Sequence, residues 1–496
     1  MSADVQTSAL ADRIRAVLAI DPSAPALEFA GRWRSWGEVS ATAEPIAALV
    51  ERAGAQVGIV LRNRPLPVAA LLGVVMAGGC VVTINPGRGE ERTRADIADL
   101  DLDVLVGAAE DLAAVAPTGD DRPVLVSGGD VGGDLDVRPA GPAHHASAAV
   151  PGVAVRMLTS GTTGPPKRID LDADTLERML VGAKHYESDR RDDAVLRRGV
   201  AIVNSPLVHL GGLFRILQCV CDGRSFALLE RFTVDAWADV VRRHRPKTVS
   251  LVPAALRTVL ESDLPREDLS SVLSVISGTA PLSPDDADAF YERFGVPVLT
   301  SYAATEFAGG VAGWNLADFM EFGASKRGSV GRAHAGCALR VVDADTGTVL
   351  GADTVGLLEV RAAQLGADAD WMRTTDLATL DGDGFLWIVG RADQAIIRGG
   401  FKVHPTEVTR VLEAHPAVRG AVVFGVDDAR LGAVPVALVE LRADDVLSGD
   451  ALLTHARASL SGYEVPTEVR FVAELPRTDS GKIDIAAARV AFDRAR

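Results

Sequence analysis

Short runs of β-branched and aliphatic residues alternate along most of the chain with stretches whose apolar positions recur at helical spacing. The strand-like runs fall at 57–61, 104–106, 124–126, 199–203, 248–252, 272–277 and 298–300. Alternation of this kind predicts layered α/β structure with largely parallel sheets. The runs at 339–342 and 376–388 predict a later, more antiparallel section. After Gly390-Arg391 the pattern restarts, with a helix predicted over 405–413, strands over 418–426 and 434–441, and a helix over 451–460. A unit of about a hundred residues with its own alternation is large enough to be a small domain. The expected fold class is therefore α/β. A large N-terminal domain of layered sheets plus a β-rich section covers 1–392, and a small α+β domain covers 393–496.

One stretch interrupts the alternation. Residues 65–87 carry no charge and read at first like a membrane span. Pro67, Gly73, Gly78 and Gly79 break that reading, and Thr83, Asn85 and Pro86 close the stretch. A buried helix over 68–77, turning at Gly78-Gly79 into a core strand over 80–84, fits the pattern better. The segment 130–149, rich in Gly, Asp, Pro and Ala, reads as an exposed link. No internal repeat is visible.

Composition changes the picture in three respects. A chain of 496 residues exceeds the size at which single cores stop growing, so two or more domains are expected. A net charge of −16 argues against nucleic acid or an anionic membrane as a general partner. Polyanionic ligands must then be attracted by local basic groups. The four cysteines, Cys80, Cys219, Cys221 and Cys337, form no C-x-x-C pair, and alternation places Cys219 and Cys221 on one face if their segment is a strand. Buried thiols in a reducing compartment are the expectation. The first eighteen residues carry Asp4, Asp12, Arg13 and Arg15 and show no apolar signal core, so a cytoplasmic protein is expected.

Candidate chemistry concentrates in Leu158-Thr159-Ser160-Gly161-Thr162-Thr163-Gly164-Pro165-Pro166-Lys167. Hydroxyls, backbone N–H groups freed by glycine and a point-charge ammonium suit a polyphosphate that is held and then released. The G-x-x-x-x-G-K-[ST] nucleotide signature is absent, since two prolines separate Gly164 from Lys167. A Ser/Thr/Gly-rich loop standing alone would read as a solvated turn.

It does not stand alone. The loop resembles the phosphate-binding loop of the adenylate-forming superfamily, which includes acyl-CoA synthetases, luciferases and peptide-synthetase adenylation domains. Ser301-Tyr302-Ala303-Ala304-Thr305-Glu306 is similar to that family's Y-G-x-T-E segment, and Arg373-Thr374-Thr375-Asp376 to its R-T-G-D. Gly390-Arg391-Ala392-Asp393 and the following Arg398-Gly399-Gly400-Phe401-Lys402 resemble its hinge and the loop beyond. Pro476-Arg477-Thr478-Asp479-Ser480-Gly481-Lys482 resembles the segment carrying its catalytic lysine. These matches follow in family order across nearly the whole chain.

The resemblance implies activation of a carboxylic acid by ATP to an acyl-adenylate, with pyrophosphate released and Mg²⁺ required, followed by transfer to the thiol of CoA. It implies that Lys482 bridges carboxylate and α-phosphate, and that Thr305 and Glu306 contact the α-phosphate and the metal. Thr159, Ser160, Gly161, Thr162, Thr163, Gly164 and Lys167 would hold the β- and γ-phosphates. Tyr302 would cover the adenine, while Ser277, Gly278 and Thr279 would bind the cofactor and, with Ala280, Pro281 and the segment 206–214, frame the carboxylate pocket. Asp376 would accept from the ribose hydroxyls, and Arg391 would reach the ribose or phosphates. Asp393, at a position with no packing obligation, would be the hinge about which a mobile C-terminal domain turns. After that rotation Gly399 and Gly400 would line the pantetheine tunnel, with Lys402 or Arg398 near CoA phosphates.

His209, in Pro206-Leu207-Val208-His209-Leu210-Gly211-Gly212, would gate carboxylate from thiol; read without the resemblance, a lone histidine is as readily structural. Gly211 and Gly212 leave space there. No acidic residue stands in 206–214 or 277–281 to hold an ammonium group, which favours an apolar organic acid: fatty, aromatic or terpenoid-like. Thr375, Ala303 and Arg168 replace family glycines, and the segment 360–371 is shorter than the family loop. Three readings stay open: an acyl-CoA synthetase, an adenylating enzyme serving a carrier-protein thiol or partner enzyme, and a silent binding protein.

Overall fold

The uncharged stretch folds as the hydrophobic pattern predicts, into a fully buried helix Pro65–Met76 followed by the strand Cys80–Ile84. Pro65 sits at the first helical position, where its missing N–H costs nothing. Gly78, at φ 69°, makes the reversal between helix and strand. The computed structural model describes residues 8–159, 167–182, 193–443, 445–478 and 481–495. Among them, no helix is long and apolar enough to cross a membrane.

The strand Cys80–Ile84 is central in a seven-stranded sheet ordered Asp136–Arg138, Val124–Gly128, Val104–Ala108, Gln56–Val60, Cys80–Ile84, Val153–Thr159 and Lys167–Asp172. Its inner strands pair in parallel and its two edge strands antiparallel. A four-stranded sheet joins Arg197–Val203, Arg224–Leu228, Pro25–Phe29 and Arg32–Ser35. A third sheet runs Thr248–Ser250, Ser274–Ser277, Val298–Ala304, Gly309–Gly313 and Arg332–Ala333. Its pairing switches from parallel to antiparallel at Val298–Ala304. The antiparallel section expected later is a sheet of Ala338–Val342, Gly356–Arg361, Met372–Leu380 and Leu386–Arg391.

Beyond residue 391 lies a sheet of Phe401–Val403, Ile396–Arg398, Gly432–Leu441 and Val418–Asp428, with Glu468–Val472 parallel to Gly432–Leu441. The helices Pro405–Glu413, Gly449–Arg457 and Ile485–Arg494 cover it. Its buried residues, centred on Val408, Val439 and Leu452 and on Phe424, Leu438 and Phe492, form clusters that include nothing before Ile396. The clusters of the larger body include nothing after Ile388.

Two local expectations are corrected. Cys219 and Cys221 lie on a helix, Leu210–Cys221, so they do not share a face; both are buried because the helix is enclosed on several sides. The segment 130–149 is largely exposed, as expected, but it is not a bare link. Asp136–Arg138 adds an edge strand, and Ser147 is buried, its hydroxyl donating to Asp103 at 2.6 Å while Arg52 reaches the same carboxylate at 2.9 Å. Long-range polar contacts organise this stretch, and they leave no mark on apolar periodicity.

The helix Pro65–Met76 crosses Trp36–Ala48 so closely that a Cβ built on Gly73 would lie 2.3 Å from the carbonyl oxygen of Ala43. Gly73→Ala is expected to destabilise the protein by about 1–3 kcal/mol, the range for overpacking a filled core. Equilibrium denaturant unfolding reads this directly, and an unchanged midpoint would contradict the close crossing.

Candidate active site

Where the third sheet changes from parallel to antiparallel, Val298–Ala304 runs into a turn that presents Thr305 and Glu306. The N–H of Ala308 donates to the Thr305 carbonyl at 3.0 Å, and Ala308 takes φ 54°. Phe307, buried at 2% exposure, anchors the turn from beneath and leaves Glu306 exposed. The amide of Gln364 donates to the carbonyls of Phe307 (2.8 Å) and Gly310 (3.3 Å), while Arg178 donates to the Gln364 carbonyl at 2.7 Å. Gln364 lies in the short 360–371 segment. Nothing in the sequence singled it out, because a polar residue in a β-rich region carries no periodic signal.

Tyr302 and Asp376, seventy-four residues apart, meet directly: the tyrosine hydroxyl donates to Oδ2 of Asp376. Burial, reinforced by this carboxylate, pushes the Tyr302 phenol well above its ordinary range, so it remains a donor. Its ring tilts against Phe307, 5.7 Å between centroids. The residues before Asp376 explain how it is held. Arg373 pairs with the buried Glu359 at 3.0 Å, and the Thr374 hydroxyl donates to the Leu358 carbonyl at 2.9 Å and accepts from the Asp376 N–H at 3.1 Å. Thr375, between these anchors, is exposed, so a side chain there meets no steric bar.

Arg391 stands opposite Asp376 in the sheet register. Its guanidinium forms a two-pronged ion pair with Asp393, at 2.9 and 2.8 Å, and the nearby acids hold it above the usual arginine value. Asp393 therefore has a partner, contrary to the expectation of a residue with no obligation. An arginine so close to the strand end supplies one.

Ser277 ends the strand Ser274–Ser277 in register with Thr300. Its hydroxyl is buried with no hydrogen-bond partner among the described residues. A Cβ on Gly278 would lie 2.8 Å from the Ser301 hydroxyl, so glycine lets this strand end abut the next. Thr279 follows at φ 71°, a left-handed conformation that costs a non-glycine residue on the order of 1–3 kcal/mol. The unpartnered hydroxyl and the left-handed residue two positions on lie together at this strand end.

Lys482 comes to the same place from the C-terminal body. A tight turn presents it: the Thr478 N–H donates to the Lys482 carbonyl and the Gly481 N–H to the Thr478 carbonyl, each at 2.8 Å, with Gly481 at φ 76°. Burial lowers the Lys482 ammonium below its usual value; Glu306 opposes that shift and Arg391 adds to it. The ammonium is thus within electrostatic reach of both.

Other sequence-predicted residues are placed more loosely. Ser160, Gly161, Thr162, Thr163 and Gly164 lie outside the described residues. Thr159 and Lys167 pair in register where the two strands flanking that loop end. Arg168 donates to the Thr83 carbonyl at 3.0 Å and pairs with Asp96 at 2.7 Å, which accounts for a long side chain where the family has glycine. His209 is half-buried at the N-cap of Leu210–Cys221. Gly211 faces open space, but Gly212 does not: a Cβ there would lie 2.2 Å from the Pro206 carbonyl oxygen. Gly399 and Gly400 form an exposed turn at φ 58° and 92° on the C-terminal body. Beside that turn, exposed Phe401 stacks on Tyr463 at 4.8 Å, and Arg398 donates to the carbonyls of Tyr463 (2.8 Å) and Val465 (3.0 Å).

Among the described residues no group of three or more His, Cys, Asp or Glu could enclose a metal. Mg²⁺ commonly takes one or two carboxylates together with substrate phosphates and water, so a single exposed carboxylate can serve it. Glu306 is the exposed carboxylate available for it. Asp376 has room for a ribose as well, since a carboxylate offers about four acceptor positions and Tyr302 takes one.

A sequence model of AMP-binding enzymes matches residues 14–367, and one of the AMP-binding enzyme C-terminal domain matches residues 407–482. The chain is 31% identical to a sulfoacetate–CoA ligase of Cupriavidus necator, covering 87% of this chain and 86% of that protein. It is 30% identical to a feruloyl-CoA synthase of an Amycolatopsis species, over 94% and 95%. Its fold superposes on ATP-bound MatB from Rhodopseudomonas palustris with a TM-score of 0.81 at 24% identity, covering 98% of this chain and 100% of that one. The amide bond synthetase McbA from Marinactinospora thermotolerans aligns with a TM-score of 0.79 at 26% identity, covering 97% and 100%. With the Tyr302–Asp376 pair, the Thr305–Glu306 turn and Lys482 converging on one edge of this fold, the chain belongs to the AMP-binding, adenylate-forming enzyme family.

Proposed function

We propose that this enzyme is an AMP-forming acid–CoA ligase that activates an apolar organic acid in two steps, using ATP, Mg²⁺ and CoA. The observation that carries the reading is the arrival of Lys482, from the C-terminal body, within electrostatic reach of Glu306 and Arg391 on the large body. In the first step a carboxylate oxygen attacks the α-phosphorus of ATP, the P–O bond to the β-phosphate breaks, and pyrophosphate leaves. That step crowds anions together, and a preorganised ammonium in a partly dry site offsets their repulsion. Lys482 fills this role. Glu306 would hold Mg²⁺, which neutralises phosphate charge, while Thr305 contacts the α-phosphate. Asp376, braced by Tyr302, would accept from the ribose hydroxyls. Ser277, Gly278 and Thr279 would border the cofactor and the carboxylate pocket, and Thr159 and Lys167 would flank the phosphate loop.

In the second step the CoA sulfur attacks the acyl carbon, AMP leaves, and the thiol proton passes to solvent or a base. We place the domain boundary between residues 392 and 393, with Asp393 as pivot. The separation of buried clusters on either side of 389–395 supports that boundary. Rotation there would withdraw Lys482 and bring the Gly399–Gly400 turn to the site. The open space at Gly211 and the lack of an acid beside His209 favour an apolar acyl group. The likeness to an amide bond synthetase supports a second reading, in which the adenylate passes to an acceptor other than CoA.

Pyrophosphate release across a panel of fatty, aromatic and sulfonated acids, with and without CoA, followed by mass detection of acyl-AMP and acyl-CoA, tests the reading. Acyl-CoA from an aromatic or fatty acid is the expected product; acyl-AMP that persists despite CoA would favour the second reading, and no release with any acid would refute adenylation. Lys482→Ala is expected to slow adenylation by roughly 10²–10³-fold or more while sparing thioester formation from supplied acyl-AMP. Equal loss in both steps would refute the assignment. Tyr302→Phe is expected to raise KM for ATP roughly threefold to tenfold, the equivalent of about 1 kcal/mol for one lost hydrogen bond, with kcat nearly unchanged. A fall in kcat alone would contradict a role in seating the nucleotide.

A further inference from the structure

The helix Pro253–Glu261 of the large body carries Ala254, Arg257 and Glu261 three and four residues apart, on one face. That face meets the C-terminal body at three points. Ala254 and Val252 lie against Gly481, where a Cβ would be 3.4 and 3.5 Å away. Arg257, bound to Asp286 at 2.5 Å, also approaches Glu413 at 3.7 Å. Glu261 accepts two hydrogen bonds from Arg419, at 2.9 and 2.6 Å. Seven residues of helix span about 10 Å, so the Glu261–Arg419 pair sits about one and a half to two turns from the contact beside Lys482.

The C-terminal side of this contact is tied into its own sheet. Arg419 also pairs with Glu440, which is 2% exposed and accepts from the Leu475 N–H at 2.9 Å. Leu475 leads directly into the turn 476–484 that presents Lys482. Glu413 accepts from the Ala421 N–H at 3.1 Å, two residues from Arg419. Arg419 is thereby linked through Glu440 to Leu475, which begins the segment leading to Lys482.

We infer that Glu261 and Arg419 are positioning residues for adenylation: their ion pair, with Arg257–Glu413 beside it, seats the C-terminal body so that Lys482 enters the site. The inference rests on the two-step reading above and deepens it. Neither residue touches a reacting atom; they set the population of the arrangement in which Lys482 is engaged. An ion pair across two bodies suits this purpose, because it is modest in strength and must break when the second step begins. A large apolar interface would hold the bodies together through both steps.

Glu261→Lys places like charge against Arg419 on the surface of the large body, away from either core. The expected result is adenylation slowed roughly threefold to tenfold, given the modest strength of such pairs, with ATP binding by equilibrium dialysis unchanged and thioester formation from supplied acyl-AMP unchanged or faster. Added salt should slow wild-type adenylation and narrow the difference from the variant. Glu110→Lys, which breaks the Arg64–Glu110 pair inside the large body, is the matched charge control and should leave both steps unaltered.

Hydrogen–deuterium exchange over 253–261 and 476–484 reads the seating without turnover. Faster exchange in both segments of Glu261→Lys is expected, and unchanged exchange overturns the inference whatever the activity. Equal slowing of both steps, or slowing matched by Glu110→Lys, also overturns it. Failure of the wild-type enzyme to release pyrophosphate with any acid would instead remove the functional reading, leaving the exchange result to decide the seating.

Discussion

On the proposed reading, Lys482 opposes the anions of adenylation from the edge of a body to which it does not belong, with its ammonium drawn partly out of water. Burial makes that position unfavourable for the charge, Arg391 makes it more so, and Glu306 compensates in part. Most of the architecture answers to this constraint. On that reading the large body supplies an edge bearing Glu306, Asp376 and Arg391, and the smaller body would deliver a lysine to it and later withdraw it.

Rigidity of the edge comes from where the sheets end. Val298–Ala304 is held on one side by parallel pairing and on the other by an antiparallel hairpin, so the turn bearing Thr305 and Glu306 has little freedom. Gln364 fastens that turn from beneath. Asp376 is fixed by Thr374, Glu359 and Tyr302 rather than by its neighbours in sequence alone. The polar groups are thus oriented before any ligand arrives, which is how an active site avoids reorganisation at the moment of reaction.

Delivery of the lysine obeys the opposite requirement. The smaller body has its own buried clusters and meets the large one largely through ion pairs and small residues along one helix face. Such an interface gives direction without permanence. Each body keeps its own buried clusters, and none spans the contact.

The sequence by itself determined the layered α/β class, the later antiparallel section, the buried helix and strand at 65–87, and the restart after Arg391. These follow from local rules, since apolar period and glycine or proline punctuation act over a few residues. It also singled out Lys482, Asp376, Tyr302 and Glu306 as chemically suited groups, through the order of short motifs. Tertiary packing alone sets the Tyr302–Asp376 hydrogen bond, the bond from Gln364 to the turn at Phe307, the Arg391–Asp393 pair and the meeting of Glu261 with Arg419. The helical placement of Cys219 and Cys221 and the anchoring of Ser147 belong with these. Each joins residues distant in sequence or depends on which element packs on which. A polar side chain's partner is set by three-dimensional proximity and burial, which no local period encodes.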